Sequence, residues 1–321
     1  MWSDYHSKLH QTLKCRQILP KNSKILIAIS GGQDSLCLAR LILDLQPKWS
    51  WQCMLAHCDH RWALDQGLPE HLEKICHDWG VNLQVISALH PIKENESSAR
   101  QWRYQVLTEL AQELAYDYII TGHTLTDRAE TLIYNLLRGA GSDGLSALDW
   151  SRPLSDSIGL ARPLLNFSRQ DTLDFCQQFK LPIWWDTYND NKQFRRNRIR
   201  LELMPYLQHH FNPQVEKHLA HTAEILKAEG EYLHHQAQLL LTLGTINRHT
   251  IDRKILQEKP LALQRRAIKL FLVQNLTKMP SFEQIEAVVQ LIDAPNKSQT
   301  SSIGRRALVR VENHHLIIEK P

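Results

Sequence analysis

The sequence contains no apolar run long enough to cross a bilayer as a helix, which takes roughly 18 to 20 residues. Its first residues, MWSDYHSKLHQ, do not show the basic and then apolar pattern of a secretory signal. It also contains no low-complexity tract and no internal repeat. We therefore expect a cytoplasmic protein that is neither exported nor bound to a membrane.

Cysteine is sparse and carries no metal-binding spacing. Six cysteines occur in 321 residues, mostly within apolar runs, and no C-x-x-C pair is present. In a chain of this length we expect reduced thiols in the core rather than a disulfide framework. The spacing gives no support for a zinc knuckle or an iron–sulfur site.

Charge of one sign is not in large excess. Lys plus Arg number 38 against 34 Asp plus Glu, a formal net charge of +4. The positive charge is concentrated in FRRNRIR (194–200) and IGRRALVR (303–310). One such run is as easily a solvated face as a binding surface, but two of them favour a polyanionic partner.

The first half of the chain alternates between strand and helix. Short apolar runs at 24–30, 51–59, 82–89 and 116–123 predict strands, and helical patterns follow each of them. Four such repeats predict a doubly wound, mostly parallel α/β sheet with helices on both faces. The polar segments that follow the strands should meet in one crevice, because ligands bind at the carboxyl ends of such strands.

The second half does not continue the alternation of strands and helices. Beyond residue 150 the chain is turn-rich, and helical patterns follow at 214–242, 261–275 and 282–292. Residues 307–320 alternate around a four-residue turn, which predicts a terminal hairpin. We predict an α/β domain over 1–212 and a smaller, mainly helical domain over 213–321, with the boundary near FNP.

The stretch SGGQDS, residues 30–35, joins a predicted strand directly to a predicted helix. It lacks the lysine of the common nucleotide loop G-x-x-x-x-G-K-[ST]. Its two glycines let the backbone turn tightly and bring N–H groups onto phosphate oxygens, its serines offer hydroxyl donors, and the helix start adds its positive end. Asp34 needs a cation to face a phosphate, so we expect it to orient the loop or to help hold Mg²⁺.

This hexapeptide resembles the PP-loop, Ser-Gly-Gly-x-Asp-Ser, of the ATP pyrophosphatase superfamily. The resemblance implies cleavage of ATP between the α and β phosphates, with the pyrophosphate held in the loop. Six further segments resemble, in the same order, those of the tRNA(Ile)-lysidine synthetase family: AHCDHRW, ARQWRY, TGHTLTDRAET, LLRGAGSDGLSAL, ARPLL and DTYNDNKQFRRNRIRLELMPYL. The resemblance covers residues 24 to about 207.

The family resemblance implies a ligase that uses ATP and Mg²⁺. In this reaction the carbonyl oxygen at carbon 2 of a wobble cytidine attacks ATP, and the side-chain amine of free L-lysine then displaces AMP. The implied partners are L-lysine and the tRNA(Ile) with the anticodon CAU, and no obligatory protein partner is indicated. The predicted helical domain fits the tRNA-contacting domain of this family, with Arg305, Arg306 and Arg310 on its hairpin.

The motifs assign site residues as follows, by resemblance. Catalytic residues are Asp34, Arg100, Arg103, Asp127 and Glu130. Cofactor-binding residues are Ser30, Gly31, Gly32, Gln33, Asp34, Ser35, His57, Asp59, Gly122 and His123. The residues expected at tRNA are Arg138, Arg196, Asn197 and Arg200, and those expected at Mg²⁺ are Asp34 and Asp127.

Several of these residues have a second interpretation. Arg100 and Arg103 lie one helical turn apart and either neutralise the α phosphate or form an ordinary surface pair. Asp127 and Glu130 bind Mg²⁺ or the lysine ammonium, or are simply acidic residues at a helix start. His57, Asp59 and His60 are nucleotide contacts, metal ligands or members of a local hydrogen-bond network, and His123 belongs either to the site or to the core.

Three positions depart from the family pattern. Thr124 and Thr126 replace a histidine and an aspartate, and Tyr188 replaces a serine. The first two positions are either dispensable, or the contacts to metal and lysine are arranged differently in this chain.

Two other functions remain open from the sequence. A PP-loop enzyme that thiolates tRNA is the nearest, although Cys53 and Cys58 are poorly spaced for a cluster or for sulfur transfer. A tRNA-binding protein without catalytic activity is the second.

We predict that Asp34→Ala abolishes the release of pyrophosphate from ATP, because the loop loses the carboxylate that orients it or holds its cation. Coupled colourimetric detection of pyrophosphate measures this. Normal release by the variant would contradict the assignment of the loop.

Overall fold

The structure is a computed structural model and describes residues 2–93, 96–185, 194–303 and 307–319. Tyr188, Arg305 and Arg306 lie outside the described residues. The chain divides into two compact units, Met1–Glu224 and Ile225–Pro321. The domain boundary that the sequence predicts near residue 212 stays a prediction.

A six-stranded sheet forms the centre of the first unit, in the order β3-β2-β1-β4-β6-β5. The strands are β1 (Lys24–Ala28), β2 (Gln52–Asp59), β3 (Leu83–Ser87), β4 (Tyr118–Ile120), β5 (Ser151–Pro153) and β6 (Gly159–Ala161). All neighbours pair in parallel except β5, which runs antiparallel to β6 at the edge. The four predicted strands are confirmed, whereas β5 and β6 were not predicted because each is three residues long in a turn-rich segment.

Nine helices of the described first unit surround or follow this sheet. They are α1 (Asp4–Arg16), α2 (Gln33–Trp49), α3 (Leu68–Trp79), α4 (Glu96–Glu113), α5 (Leu125–Leu137), α6 (Ser142–Leu145), α7 (Arg169–Gln178), α8 (Arg195–Arg198) and α9 (Met204–His210). A π-helical turn, Ile199–Leu203, joins α8 to α9. From the sequence, Ser97 or Ser98 is a plausible N-cap of the helix before strand β4, but both lie inside α4.

Helices cover both faces of the sheet, as predicted for a doubly wound fold. Ile25 and Ile27 of β1 pack into a cluster with side chains of α1, α2, α3 and α7. Leu26, between them, points to the opposite face and packs with Leu107 of α4. Burial on both faces is the reason that β1 reads as a continuous apolar run rather than an alternating one.

The strand order puts a topological switch point between β1 and β4. From β1 the chain moves outward through β2 and β3 and then returns to pair β4 with the free side of β1. The segments that follow β1 and β4 therefore leave the same edge of the sheet side by side. Crevices at such points are the usual ligand sites of parallel sheets.

The second unit contains helices and a small antiparallel sheet. Its elements are the later part of α10 (Val215–Gly244), β7 (Thr245–Asn247), β8 (Thr250–Asp252), α11 (Leu261–Asn275), α12 (Phe282–Val289), β9 (Leu308–Glu312) and β10 (His315–Glu319). The sheet order is β7-β8-β10-β9. The predicted hairpin is confirmed as β9–β10, which pairs antiparallel from Leu308 with Glu319 to Glu312 with His315. No described helix is long and apolar enough to span a membrane.

We expect Leu41→Ala to lower the free energy of unfolding by about 2–5 kcal/mol, because Leu41 of α2 is 0% exposed and its removal leaves a cavity. Leu89→Ala is the matched control, since Leu89 is 88% exposed and its truncation should change the free energy by less than about 0.5 kcal/mol. Urea unfolding followed by tryptophan fluorescence measures both. Equal losses would contradict the packing of α2 on the sheet.

Candidate active site

The SGGQDS loop turns sharply between β1 and α2. Gly31 has a φ of +75°, in the left-handed region, and a Cβ there would lie 2.7 Å from Leu68 Cδ1. The Gly31 carbonyl accepts a hydrogen bond from the Trp184 N–H at 2.9 Å. Gly32 follows as the N-cap of α2. The loop therefore needs glycine at position 31 both for its backbone conformation and for the space.

The two serines of the loop bond to the loop itself. The Ser35 hydroxyl accepts from the Ser30 N–H at 3.1 Å and donates to the Gly32 carbonyl at 2.9 Å. Ser30 Oγ lies 3.2 Å from Ser35 Oγ. Ser35 thus closes the turn and also accepts from the Ser30 hydroxyl, so the donors left for a ligand are backbone N–H groups at the start of α2.

Gly122, directly after β4, presses against the first turn of α2. A Cβ at this position would lie 2.9 Å from the carbonyl oxygen of Asp34 and 3.0 Å from the N–H nitrogen of Ser35. Only glycine fits this approach without movement of the backbone. The contact brings the end of β4 and the residues that follow it against the loop.

Asp34 is the ionisable group of the loop, and burial raises its pKa to about 6. Arg169 Nε lies 3.6 Å from Asp34 Oδ2 and Thr172 donates to Oδ1 at 2.5 Å, and both favour the charged form, whereas the negative charge of Asp127 opposes it. The pKa stays high because burial and the second carboxylate together outweigh these partners. Such a site favours a bound cation.

Helix α7 anchors the loop, which the sequence did not reveal. The Gln33 amide donates to the Arg169 carbonyl at 2.7 Å and to Thr172 Oγ1 at 3.0 Å. Arg169 and Thr172 were not predicted as site residues, and they are separated from the loop by more than a hundred positions. Gln33, predicted as a nucleotide contact, uses its side-chain amide for this anchor.

Thr124 and Thr126, the two departures from the family pattern, have local partners at the start of α5. Thr124 is the N-cap: its N–H and hydroxyl donate to Asp127 Oδ2 at 2.8 and 2.9 Å. The Thr126 hydroxyl donates to Glu216 Oε2 at 2.9 Å and accepts from the Arg169 N–H at 3.2 Å. Thr124 caps the helix and holds Asp127 in place, whereas Thr126 joins the first turn of α5 to Glu216 and Arg169.

Asp127 and Glu130 form an ion-pair network with two arginines. Arg200 bonds both oxygens of Glu130, at 2.7 and 2.8 Å, and Arg196 Nε lies 3.3 Å from Glu130 Oε2. Asp127 Oδ1 lies 3.2 Å from Arg196 Nη2 and 3.4 Å from Arg200 Nη2. Burial alone would raise the pKa of Asp127, but these guanidinium groups lower it below its usual range.

His123 is a neutral, buried link between this network and α4. Arg100 Nη1 lies 3.3 Å from His123 Nε2, and Thr121 Oγ1 lies 2.8 Å from Nδ1. Because a guanidinium can only donate, Nε2 accepts and Nδ1 carries the proton. Burial lowers the pKa of His123 well below its usual value, in agreement with this tautomer.

His57 and His60 line the same cleft, and each has a buried ring nitrogen. His57 Nδ1 donates to the Ile29 carbonyl at 3.0 Å, so its Nε2 is an acceptor. Neither His57 Nε2 nor His60 Nε2 has a hydrogen-bond partner among the described residues. Burial lowers both pKa values, that of His60 to about 4 with help from Arg103, so both rings are neutral at pH 7.

Many of the residues described above line one cleft of about 330 Å³ at the switch point, but Gly31 does not. The predicted site residues in its lining are Ser30, Gly32, Gln33, Asp34, Ser35, His57, Arg103, Gly122, His123, Asp127 and Arg200. Arg169 also lines it. Arg100 stands one contact behind the lining through His123, Arg196 through Asp127, and Glu130 through Arg200.

Three predicted residues lie elsewhere. Asp59 accepts from the Arg61 N–H at 2.8 Å and from Ser87 Oγ at 2.9 Å, a local arrangement at the end of β2. Arg138 is the exposed C-cap of α5, over the Tyr134 ring at 5.3 Å. Asn197 lies on α8.

Two carboxylates of this cleft, Asp34 and Asp127, suit Mg²⁺ carried by a nucleotide. Mg²⁺ at such sites takes one or two carboxylates, with phosphates and water completing the shell. The described residues contain no cluster of three or more His, Cys, Asp or Glu side chains that would hold a metal alone. The arrangement therefore fits an ion that arrives with its phosphates.

Family comparisons agree with this geometry. The PP-loop domain family matches residues 2–207, and the TilS substrate binding domain family matches residues 252–316. The tRNA(Ile)-lysidine synthase of Nostoc sp. is 46% identical over 334 residues, covering 99% of this chain and 97% of the relative. That of Synechocystis sp. is 47% identical, covering 98% and 97%. A chloroplastic relative from Zygnema circumcarinatum is 35% identical, covering 88% and 78%.

A solved structure shares the fold. The U34-tRNA thiolase NcsA from Methanococcus maripaludis, determined with its [4Fe-4S] cluster, aligns with a TM-score of 0.60 at 17% identity, covering 70% of this chain and 78% of that one. At this identity the likeness concerns the fold alone. The comparisons support the lysidine interpretation of the sequence and not thiolation, and all six cysteines of this chain are free thiols, as expected.

We predict that Asp34→Asn stabilises the ligand-free protein above pH 6. Asp34 titrates at about 6 when folded, against about 3.9 in an unfolded chain. The folded state thus gains from the proton at low pH and loses this contribution as pH rises from about 4 through 6. Neutral Asn avoids this loss, so the variant should be more stable than the wild type by about 3 kcal/mol at pH 8 and by little at pH 4.

Urea unfolding of both proteins between pH 4 and pH 8 tests this. Asp171→Asn, on the N-terminal turn of α7, is a control in the same unit. A pH-independent difference between Asp34→Asn and the wild type would show that burial does not set the charge state of Asp34.

Proposed function

Because the chain belongs to the family of tRNA(Ile)-lysidine synthases, we propose that it joins free L-lysine to carbon 2 of the wobble cytidine in the tRNA(Ile) with anticodon CAU. The observation that carries the proposal is the cleft at the switch point. There the PP-loop, the glycine after β4 and three arginines, Arg103, Arg169 and Arg200, line one space. A phosphate-binding turn beside several cations suits the transfer of an adenylate from ATP.

The loop is suited to hold the departing pyrophosphate. Backbone N–H groups at the start of α2, with the positive end of the helix dipole, face the cleft from a turn that Gly31 makes possible. The cytosine oxygen at carbon 2 attacks the α phosphorus, and the bond from that phosphorus to the bridging oxygen breaks. Pyrophosphate leaves with the bonding electrons, and the arginines of the lining offset the charge on the phosphates.

The neutral histidines are suited to the nucleoside part of ATP. His57 Nε2 is an acceptor without a partner among the described residues, so it can receive a hydrogen bond from an amino or hydroxyl group. A phosphate oxygen, which has no proton, is an unsuitable partner for it. We assign His57 to the nucleoside on this ground, and Asp59 only to the strand end that supports it.

Mg²⁺ would be held by Asp34 and Asp127 together with the phosphates of ATP. When bound, the ion offsets negative charge on the phosphate oxygens. The high pKa of Asp34 follows from its burial and from Asp127, and both effects are relieved by a nearby cation. Thr172 and Thr124 orient the two carboxylates from outside the cleft.

The second step needs the neutral side-chain amine of lysine beside carbon 2. Its nitrogen bonds to that carbon, the bond from the carbon to the AMP oxygen breaks, AMP leaves with the bonding electrons, and the protons lost from the lysine nitrogen pass to solvent. Asp127 faces the cleft and stays ionised, so it is the carboxylate that can attract the cationic lysine. Glu130 is 0% exposed and both its oxygens bond Arg200, so we assign it as a positioning residue. It fixes the arginine that lines the cleft.

The arginines predicted to contact tRNA divide between the cleft and the surface. Arg196 and Arg200, first assigned to tRNA phosphates, lie against carboxylates, with side chains 20% and 17% exposed. We infer that they act within the cleft, whereas Arg138 keeps its assignment to tRNA. A cytidine reaches the cleft only when flipped out of its loop. Since the substrate is a tRNA, we place the enzyme in the cytoplasm.

We expect radiolabelled lysine to enter only the CAU-anticodon tRNA(Ile) when the protein is given a panel of unmodified tRNA transcripts and ATP. Scintillation counting of precipitated RNA measures incorporation, and mass spectrometry of the nucleosides identifies the product. The control is the same transcript with uridine in place of the wobble cytidine. Added sulfur, or no lysine in any transcript, would overturn the proposal.

A further inference from the structure

A second concave surface, of about 570 Å³, lies outside the cleft and is not used in the mechanism above. We call it the Tyr–Arg groove, and its defining residues are Tyr134, Leu137, Arg138, Arg195, Arg198 and Tyr206. They come from α5, α8 and α9. All of them belong to the first unit.

The groove combines exposed apolar surface with aromatic rings. Leu137 is 69% exposed and Tyr206 is 54% exposed, so both side chains present apolar surface to solvent. The Tyr206 ring extends into a cluster with His210, whose centroid is 4.5 Å away, and with Phe211 at 6.0 Å. Flat rings that stay open to solvent are suited to stacking against another planar group.

The rim of the groove is positive. Arg138, Arg195 and Arg198 are exposed, and the carboxylate of Glu202 lies 3.7 Å from Arg198. Among the residues that the structure describes, Arg138 and Arg195 have no ion pair. A second copy of this chain placed symmetrically on the groove would bring arginine against arginine. Cations around aromatic rings instead match the phosphates and bases of single-stranded RNA.

The groove begins one helical turn from the active site. On α5, Glu130, Tyr134 and Arg138 succeed each other at four-residue steps, each of about 6 Å. On the facing segment, Arg196 and Arg200 point to the carboxylates of the cleft. Arg195 and Arg198 line the groove instead. A nucleotide chain whose reacting base enters the cleft therefore has its next nucleotides within reach of the groove.

We propose that the Tyr–Arg groove binds an unpaired nucleotide of the anticodon loop next to the reacting cytidine. Its base stacks on Tyr206, and its phosphates lie near Arg195 and Arg198. The proposal rests on the proposed function, because the reacting cytidine defines which nucleotide is the neighbour.

The test is a pair of changes, one in the protein and one in the RNA. The RNA is a hairpin with the anticodon stem and loop, either intact or with an abasic nucleotide directly 5′ or directly 3′ of the reacting cytidine. Dissociation constants are measured with the full chain by fluorescence anisotropy at a series of salt concentrations, and proteins and RNAs are compared at the same salt. Loss of a stacked base should weaken binding about 5- to 150-fold at one of the two positions.

Tyr206→Ala should weaken binding of the intact hairpin by a similar factor and should be insensitive to the abasic change at that position. Tyr206→Phe keeps the ring and should bind like the wild type. Arg195→Ala should reduce the dependence of log Kd on log salt by about 0.7. Lys74→Ala, an exposed cation on α3, is the matched control for charge. Because Tyr206 and Arg195 are exposed, thermal unfolding midpoints should not move.

Three results would overturn the proposal. The first is that RNA abasic at either position binds as tightly as intact RNA. The second is that the fold-losses in affinity from Tyr206→Ala and from the abasic change multiply when the variant protein binds the abasic RNA. The third is that Tyr206→Ala changes the oligomeric state and leaves the RNA affinity unchanged. The last result would make the groove an interface between protein chains. RNA binding is measured without lysine transfer, so the two proposals can fail separately. Lysine transfer without coupling between Tyr206 and the abasic position refutes only the groove. Coupling in binding without lysine transfer refutes only the proposed function.

Discussion

The close approach of Gly122 to the first turn of α2 is the constraint on which the site depends. β1 and β4 pair in parallel through Ile25 with Tyr118, Leu26 with Ile119 and Ile27 with Ile120, so their following segments leave the sheet together. A Cβ at position 122 would lie only 2.9 Å from the Asp34 carbonyl oxygen, so no side chain fits there. The contact brings residues that are nearly 90 positions apart in sequence to opposite walls of one cleft.

The pKa values of the two carboxylates in this cleft are shifted in opposite directions by their surroundings. Burial and the charge of Asp127 raise the pKa of Asp34, because one arginine at 3.6 Å and one hydroxyl do not compensate for them. Asp127 has two guanidinium groups and the N-cap donors of Thr124, which lower its pKa despite its burial. Asp127 is thus charged at neutral pH, whereas Asp34 titrates near neutrality and its charged form is favoured further by a nearby cation. Divergent pKa values of neighbouring acids are a common sign of divided roles.

Much of this arrangement could be predicted from local sequence, and the remainder depends on contacts across the chain. The loop, the first four strands and the helix after residue 124 follow from apolar runs and glycines. Arg169 and Thr172 could not be found this way, because nothing near them in sequence marks their contact with Asp34. The strands β5 and β6 are too short to show a period of two. The two threonine departures looked like lost ligands, and they hold the start of α5 instead.

The sequence of the arginine-rich segment, residues 194–200, does not show which of its arginines face the cleft and which face solvent. FRRNRIR predicted a polyanion-binding surface, but composition does not say which face of a helix each arginine occupies. Arg196 and Arg200, four positions apart, face Asp127 and Glu130, while Arg195 and Arg198 face outward into the groove. A shift of one residue would turn each side chain by roughly 100° about the helix axis and would leave Glu130 buried without its bidentate partner. Because an unpaired buried carboxylate is strongly unfavourable, Glu130 fixes the register of the segment, and that register decides which arginines face the cleft and which remain on the surface.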